Sequence, residues 1–399
     1  MAAVTVGRMR LLHTSDWHLG RTLHGVDLLE HQAAALDHLV DVVRAERVDA
    51  LLVAGDVYDR AIPPVEAVTL LSEALARLSE LTTVVLTSGN HDSATRLGFG
   101  AALMRERVRL RTRVATLAEP VEVAGALVYG LPYLDPDLAR GDLAEPDDAA
   151  GATVLPARSH EAVTSAAMRR VRTDLAARRS GGARLRAVVM AHAFVVGGQP
   201  SESERDIRVG GVDQVPAGVF VGMDYVALGH LHGPQGLSGV DGTVLRYSGS
   251  PLAYSFSEQH HTKSSVLVDL SGAEPVTELV PAPVPRRLAD VTGTLDQVLG
   301  AAGEAHVADW VRVTVTDAAR PPELFRRVRE RFPHALVVQH VPAEGAAHAG
   351  RSQVVTAAAD PLEVVDAFVR RVTGAAPTPA EAALLRRAYE DVADVERSA

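Results

Sequence analysis

Cysteine is absent from the 399-residue chain. Disulfides and thiolate-bound zinc are thereby excluded, and any metal must sit on His, Asp, Glu or Asn. No apolar run approaches the roughly 18 residues needed to span a bilayer, which predicts a protein with no membrane association. Met1 to Arg10 lack the charged-then-apolar layout of a signal peptide, so the expected location is the cytoplasm. A basic excess is also missing. The net charge of −10 weighs against a nucleic-acid binder held by its overall charge. It decides little, because charge placement matters more than the sum and a metal-binding cleft needs carboxylates of its own. There is no internal repeat. What is present is ordinary for a globular protein of two or three domains, with 47% apolar and 23% charged residues.

Apolar runs of strand length alternate with stretches of helical spacing through the first half. The strands read as Met9–Thr14, Ala50–Ala54, Thr83–Thr87, Ala187–Ala191 and Asp224–Leu228. Glu30–Arg44, Pro64–Ser79 and Glu161–Arg178 carry helical periodicity between them. Pro63-Pro64 suits a helix start, where proline is favoured. This alternation predicts a layered α/β core, and further β-like runs at Val244–Tyr247, Ser265–Leu270 and Val276–Val280 predict a mixed β-sheet. Asp135–Pro156 reads as a surface loop and Pro281, Pro283 and Pro285 as a linker. Beyond the linker comes a small αβ pattern. It has helices at Leu295–Leu299 and Pro322–Arg331 and strands at Trp310–Val315 and Ala335–His340. A soft break at Ala343–Arg351 leads to two helices, Pro361–Val372 and Pro379–Val395, separated by Gly374-Ala-Ala-Pro-Thr. The expected domains are 1-282, a capping domain at 286-345 and a C-terminal helical pair at 358-399.

Five segments share one layout, an apolar strand ending in a metal-capable side chain. They are Leu11-Leu-His-Thr-Ser-Asp16-Trp-His18, Leu51-Leu-Val-Ala-Gly-Asp56, Val84-Val-Leu-Thr-Ser-Gly-Asn90-His91-Asp92, Val188-Val-Met-Ala-His192 and Val226-Ala-Leu-Gly-His230-Leu-His232. Sites in open α/β sheets form outside the carboxyl ends of strands, which predicts Asp16, His18, Asp56, Asn90, His192, His230 and His232 on one rim. Taken singly, each has a plainer reading: His192 as a core histidine, Asp56 and Asp59 as turn residues, Asn90 in a left-handed turn. As a set they suit two ions rather than one, and oxygen donors mixed with imidazoles favour Mn, Fe, Zn or Co over Ca or Mg. A carboxylate such as Asp56 can bridge ions about 3.5–4 Å apart, as in two-metal hydrolytic sites.

Asp16-Trp-His18, Gly55-Asp56-Val-Tyr-Asp59, Gly89-Asn90-His91-Asp92, His192 and Gly229-His230-Leu-His232, in this order, resemble the calcineurin-like metallophosphoesterase superfamily. Within it, four further stretches resemble the SbcD nuclease subunits of bacteria. These are Thr14-Ser-Asp-Trp-His-Leu-Gly, Asp206-Ile-Arg-Val-Gly, Asp224-Tyr-Val-Ala-Leu-Gly-His-Leu-His and Tyr247-Ser-Gly-Ser-Pro-Leu-Ala-Tyr-Ser-Phe-Ser-Glu258. The resemblance covers residues 9 to 270 best and suggests Met9 as the natural start. It implies one ion on Asp16, His18, Asp56 and His232, and a second on Asp56, Asn90, His192 and His230. It makes His91 the phosphate contact and general acid. It also implies Mn2+ or iron as the metal, DNA as the substrate, a homodimer, and a coiled-coil ATPase partner of the SbcC type. Asp59 stands where some relatives carry histidine, and Gly233 where relatives often place a basic residue, so both positions depart from the pattern.

Other features keep two readings. Arg109, Arg111 and Arg113, and the run Arg326-Arg327-Val-Arg329-Glu-Arg331, are solvated faces or DNA-backbone stripes. Tyr247–Ser250 is a plain turn or a turn lining the site. His13, His31, His38, His260 and His261 read as structural or exposed, with His31 nearest the expected cleft. The tail helices, apolar at Leu362, Val365, Phe368 and Val369 and at Ala382, Leu385, Ala388 and Tyr389, pack on their own domain or dock on the partner. Three functions compete: the DNA nuclease, a protein or small-molecule phosphoesterase with the same ligands, and a scaffold keeping a relic site. The last is disfavoured by the intact set of seven.

Overall fold

The computed structural model describes residues 8–104, 106–147, 152–182, 185–207, 214–342, 361–373 and 376–398. Two six-stranded sheets form the centre of the chain. The first runs in the order Val276–Pro281, Ser264–Asp269, Arg10–Thr14, Ala50–Ala54, Thr83–Thr87, Val108–Arg111. Its last four strands are parallel and its first two antiparallel. The second runs Gln235–Leu237, Val244–Tyr247, Tyr225–Gly229, Arg186–His192, Ala126–Gly130, Val121–Val123. There the four inner strands are parallel and both edges antiparallel. The mixed character was legible in sequence, but the division into two sheets was not.

Residues alternate between the faces of each strand. Ala50, Leu52 and Ala54 meet Val188, Met190, Tyr225 and Ala227 of the other sheet in a dry layer. Leu51 and Val53 turn the other way, onto Leu36, Leu39, Ala67, Leu71 and Leu78 of the helices Leu29–Glu46 and Val65–Leu81. Val163, Ala167, Val171 and Leu175 of helix His160–Arg179 cover the outer face of the second sheet through Leu127, Val189 and Val226. The result is a helix–sheet–sheet–helix stack. Strands covered on both faces read as unbroken apolar runs, which is why the inner ones stood out.

Ala126–Gly130, Val121–Val123 and Leu288–Gly293 are strands that the sequence reading passed over. The expected loop Asp135–Pro156 holds a helical turn, Pro136–Ala139, and a hairpin of Glu145–Asp147 with Ala152–Val154. Asp135 caps that turn by accepting from Asp137 N and Leu138 N, the same preference that made it look like a loop residue. Pro64 sits at the N-cap, one residue before the helix it was expected to begin.

Inter-residue contacts gather the chain into two units, Met1–Val315 with Pro321–His340, and Thr316–Arg320 with Val341–Ala399. The first unit includes the small αβ region. There Leu288–Gly293, Trp310–Val315 and Ala335–His340 form a parallel sheet backed by helix Leu324–Arg331. Leu288 and Trp310 join Leu23, Leu28, Leu252, Tyr254 and Phe256 in one apolar cluster. The second unit holds helices Pro361–Thr373 and Pro379–Ser398, which touch each other. Ala343–Arg351, most of Asp206–Gly210, Gly374-Ala375 and Met1–Gly7 lie outside the described residues. No helix among the described residues is long and apolar enough to cross a membrane.

Candidate metal centre

All seven expected ligands lie just past, or at the end of, a central strand. Asp16 and His18 follow Arg10–Thr14, Asp56 follows Ala50–Ala54, and Asn90 follows Thr83–Thr87; His192 ends Arg186–His192, and His230 and His232 follow Tyr225–Gly229. The site therefore straddles the carboxyl ends of both sheets. Asp16, His18, Asp56 and His230 have positive φ, at 55°, 45°, 49° and 104°. Non-glycine residues hold such conformations only when their surroundings impose them, commonly at functional sites. Here Asp16 N donates to Gly55 O at 3.1 Å and His18 N to Asp56 O at 3.0 Å. Glycine is required at position 89, because a Cβ there would come within 2.1 Å of Asp56 Oδ1.

The side chains converge on two adjoining points. His18 Nε2 lies 3.1 Å from His232 Nε2 and 3.6 Å from Asp56 Oδ2. The same Oδ2 lies 3.4 Å from His192 Nε2. Asn90 Oδ1 is 2.9 Å from His192 Nε2 and 3.2 Å from His230 Nδ1. Asp16 joins His18 and His232 on one side and Asp56 and His192 on the other, each trio having ligand atoms within 4.8 Å of one another. Separations near 3 Å are what two donors each about 2.1 Å from one ion would show. His192 Nδ1–H donates to Ala54 O at 3.0 Å, so Nε2 is the ring nitrogen that faces the cluster and would bind an ion once its proton is lost. The buried Asn90 Nδ2 has no hydrogen-bond partner. Donor set and spacing fit a pair of divalent ions, and Asn90 would offer them Oδ1, its Nδ2 being a donor.

The electrostatics agree. Burial opposes charge on Asp56, but His192, His18 and His91 outweigh it and hold the carboxyl well below its usual range. Burial raises Asp16 to about 6 despite the facing imidazoles. For His192, burial works downward, yet Asp56 and Asp16 lift it to about 9. Burial keeps His18 and His230 well below the ordinary value, so both are neutral. Two buried carboxylates, Asp56 and Asp16, beside the neutral rings of His18 and His230 leave the site short of positive charge.

His91 borders the cluster. Its N–H donates to Asp56 Oδ1 at 2.9 Å, its Nδ1 lies 2.7 Å from Asp59 O, and its Nε2 stands 3.9 Å from Asp56 Oδ2. Burial lowers its pKa. The Asp59 carboxylate faces His18 Nδ1 at 3.7 Å and Arg21 at 3.6 Å.

Several residues that build the site carried no signal in the sequence reading. Asp92 accepts from Val57 N, Tyr58 N and Gly89 N, tying the Asp56 loop to the Asn90 loop. Burial and neighbouring Asp56 push it to about 7 in spite of those bonds. Ser15 Oγ donates to Asp16 Oδ2 at 2.5 Å and meets Ser248 Oγ at 2.9 Å. Gln32 Nε2 donates to His18 O at 2.7 Å. Ser203, Glu204, Glu258 and Lys263 surround His232. Ser15, Asp92, Ser248 and Glu258 fall inside the motif stretches, but none of them is given a supporting contact there.

The secondary features divide. His13 is a core histidine, bonded to Tyr225 OH and Leu228 O. His31 packs edge-on against Trp310, at 5.3 Å between centroids. The His261 ring covers Gly233, where a Cβ would meet it at 3.0 Å. The Tyr247–Ser250 turn backs the site through Ser248 and Ser250. Arg109 and Arg111 lie half-buried in the edge strand Val108–Arg111. Arg326 pairs with Glu323 and Glu330, and Arg331 with Glu304, so the charge of these two is spent within the domain.

Two solved structures align at low identity. TT1561 of Thermus thermophilus is 15% identical, with 68% of this chain and 99% of that one covered and a TM-score of 0.38. GAP50, described as the anchor in the inner membrane complex of Plasmodium, is 9% identical, with 84% and 98% covered and a TM-score of 0.39. Residues 284–373 match the SbcD C-terminal domain, described as the type 5 capsule protein repressor C-terminal domain. Residues 9–234, more than half the chain and all seven metal-capable side chains, match the calcineurin-like phosphoesterase family. The chain belongs to that family of metal-dependent phosphoesterases, and with the second match it falls among the SbcD-type nuclease subunits, phosphodiester hydrolases.

Proposed function

We propose that the chain is a Mn-dependent DNA nuclease subunit, degrading duplex ends and cutting hairpins or single strands, in DNA recombination, replication and repair. Asp16, His18, Asp56 and His232 hold one ion, and Asp56, Asn90, His192 and His230 the other. The observation that carries this reading is Asp56 Oδ2, 3.6 Å from His18 Nε2 and 3.4 Å from His192 Nε2, the position of a bridging carboxylate. Such an ion pair, when bound, grips a phosphodiester and supplies a nucleophile near neutral pH.

His91 is the general acid. With Nδ1–H engaged by Asp59 O, a neutral ring offers only an Nε2 lone pair. To protonate the leaving oxygen it must take up a second proton, which an incoming anionic phosphodiester favours.

The functional domains are 1-282 for hydrolysis, 286-345 for capping and DNA recognition, and 358-399 for partner binding. Phe368, Leu384 and Tyr389 are exposed at 64%, 60% and 40%, which supports docking of the helical pair on the coiled-coil base of an SbcC-type ATPase in the cytoplasm. Two copies of each subunit make the working assembly.

The test is purified protein with Mn2+ and linear or hairpin DNA. Cleavage that is lost in Asp56→Asn is expected. Absence of cleavage, with rapid turnover of a phosphoprotein or nucleotide monoester instead, would leave the small-substrate phosphoesterase as the better reading.

A further inference from the structure

The chain contains a single lysine, Lys263, while every other basic side chain of that length is arginine. Lys263 is also buried, at 4% exposure. Its three protons have three acceptors: Glu258 Oε2, Ser250 Oγ at 2.9 Å and His232 O at 2.8 Å. An ammonium matches three acceptors spread around a point, whereas a guanidinium is a planar fork of five donors and would leave some unmet in the interior. Glu258, held by Lys263 through Oε2, has its side chain fully shielded from solvent. Its other oxygen accepts from Ser203 Oγ and lies 3.3 Å from His232 Nδ1.

The order of protons along this chain follows from counting. Ser203 has one hydroxyl proton and meets the Glu258 carboxylate, His232 Nδ1 at 2.6 Å and Ser201 Oγ at 2.9 Å. The carboxylate can only accept, so it takes that proton; Ser201 donates its own to Glu204 Oε2. Ser203 Oγ therefore accepts from His232, whose proton must sit on Nδ1. Nε2 is left bare and faces His18 Nε2. The backbone of the same histidine is pinned at both ends, its N–H by Glu204 Oε1 at 2.8 Å and its carbonyl by Lys263.

We propose that Glu258, locked by Lys263 and acting through Ser203, is a positioning residue that fixes His232 as the Nδ1–H tautomer and aims its Nε2 lone pair into the metal centre. The proposal rests on the two-ion reading for its purpose, but the tautomer exists in the metal-free protein and is measured there. Outer partners of this kind typically change metal affinity by about 10–100-fold.

The experiment combines long-range 15N–1H spectra of histidine-labelled, metal-free protein with calorimetric titration of Mn2+. The His232 resonance is assigned by its loss in His232→Asn. Wild type is expected to show Nδ1–H with an unprotonated Nε2. In Glu258→Gln the amide oxygen turns to Lys263 and its NH2 to Ser203. The serine hydroxyl then donates to Nδ1 and the proton moves to Nε2, with one of two Mn2+ sites weakened about 10–100-fold. In the double variant Glu258→Gln, Lys263→Met, the amide is free to turn its oxygen to Ser203. This restores Nδ1–H and most of the affinity, whereas purely structural damage would accumulate.

An Nε2–H tautomer in wild type overturns the proposal, and this needs no variant to fold. So does a Glu258→Gln protein with unchanged tautomer and affinity within about twofold, far short of the expected loss. Wild type that binds no Mn2+ sinks the metal reading instead, and the tautomer spectra still decide this one.

Discussion

The Nε2 atoms of His18 and His232 face each other across 3.1 Å, and both rings are essentially sealed from solvent. A neutral imidazole carries one proton on two nitrogens. His232 keeps its proton on the far side, and His18 Nδ1 has no hydrogen-bond partner. Two buried rings brought this close gain at most one hydrogen bond from each other, and one ring nitrogen stays unmet. A cation between them satisfies both lone pairs at once. The pairing makes sense as half of a coordination sphere.

Asp56→Asn removes the charge of the carboxylate proposed to serve both ions. Because Oδ2 lies within 3.9 Å of His18, His91 and His192, the variant should lose tight binding of both ions and not of one. Loss of turnover on the order of 10³-fold or more is expected, above the 10–100-fold typical of outer partners. Calorimetry showing one undisturbed Mn2+ site in this variant would contradict a bridging role.

Metal should also stabilise the fold. A ligand at about 100 times its Kd adds about 2.7 kcal/mol per site when only the folded state binds it, a rise of several degrees in Tm for a domain of this size. Differential scanning calorimetry with Mn2+ and after chelation measures this. The shift should vanish in Asp56→Asn, and a shift retained there would place the binding elsewhere.

The centre was far more legible in the sequence than its supports. The metal-capable side chains sit at strand ends, where a two-sided apolar run stops abruptly at a polar residue, so Asp56 and His192 announce themselves. Ser203, Glu204 and Lys263 lie in loop segments with no periodicity, and their roles depend on folding distant parts of the chain against His232. The two-sheet division was hidden for a related reason. Val121–Val123 is only three residues long, Ala126–Gly130 went unread although it equals Ala50–Ala54 in length, and periodicity says which face a residue takes but not which sheet it joins. Arg326 and Arg331 looked like a basic stripe because their partners, Glu323, Glu330 and Glu304, are seen only when the helix and its neighbour are in place.

Asp92 illustrates a support that mutation should expose. Its carboxylate accepts three backbone N–H groups from two loops, and each left unmet in the interior costs about 1–3 kcal/mol. Asp92→Ala should lower Tm and loosen both Asp56 and Asn90, reducing Mn2+ affinity by about 10–100-fold. A variant with lowered Tm but unchanged metal affinity would show that the loops keep their positions without this tie.

The pH dependence of the metal-free protein follows from His192. Burial alone would lower its pKa, but Asp56 and Asp16 raise it to about 9, above the ordinary value of 6.5. A group raised in the folded state contributes stability in full below the unfolded pKa and loses it as pH climbs through the folded one. Chelated protein should therefore show a falling Tm between about pH 7 and 9.5. Metal binding needs the same ring neutral, so Mn2+ displaces a proton and its affinity should rise across that window. The stabilisation by Mn2+, read as the gap between loaded and chelated Tm, should widen with pH. Titrations at about pH 7.5 in buffers of different ionisation enthalpy should report net proton release on binding. A gap that narrows toward higher pH, or no proton release, would mean that His192 is already neutral in the empty site and that its ion pair with Asp56 does not form.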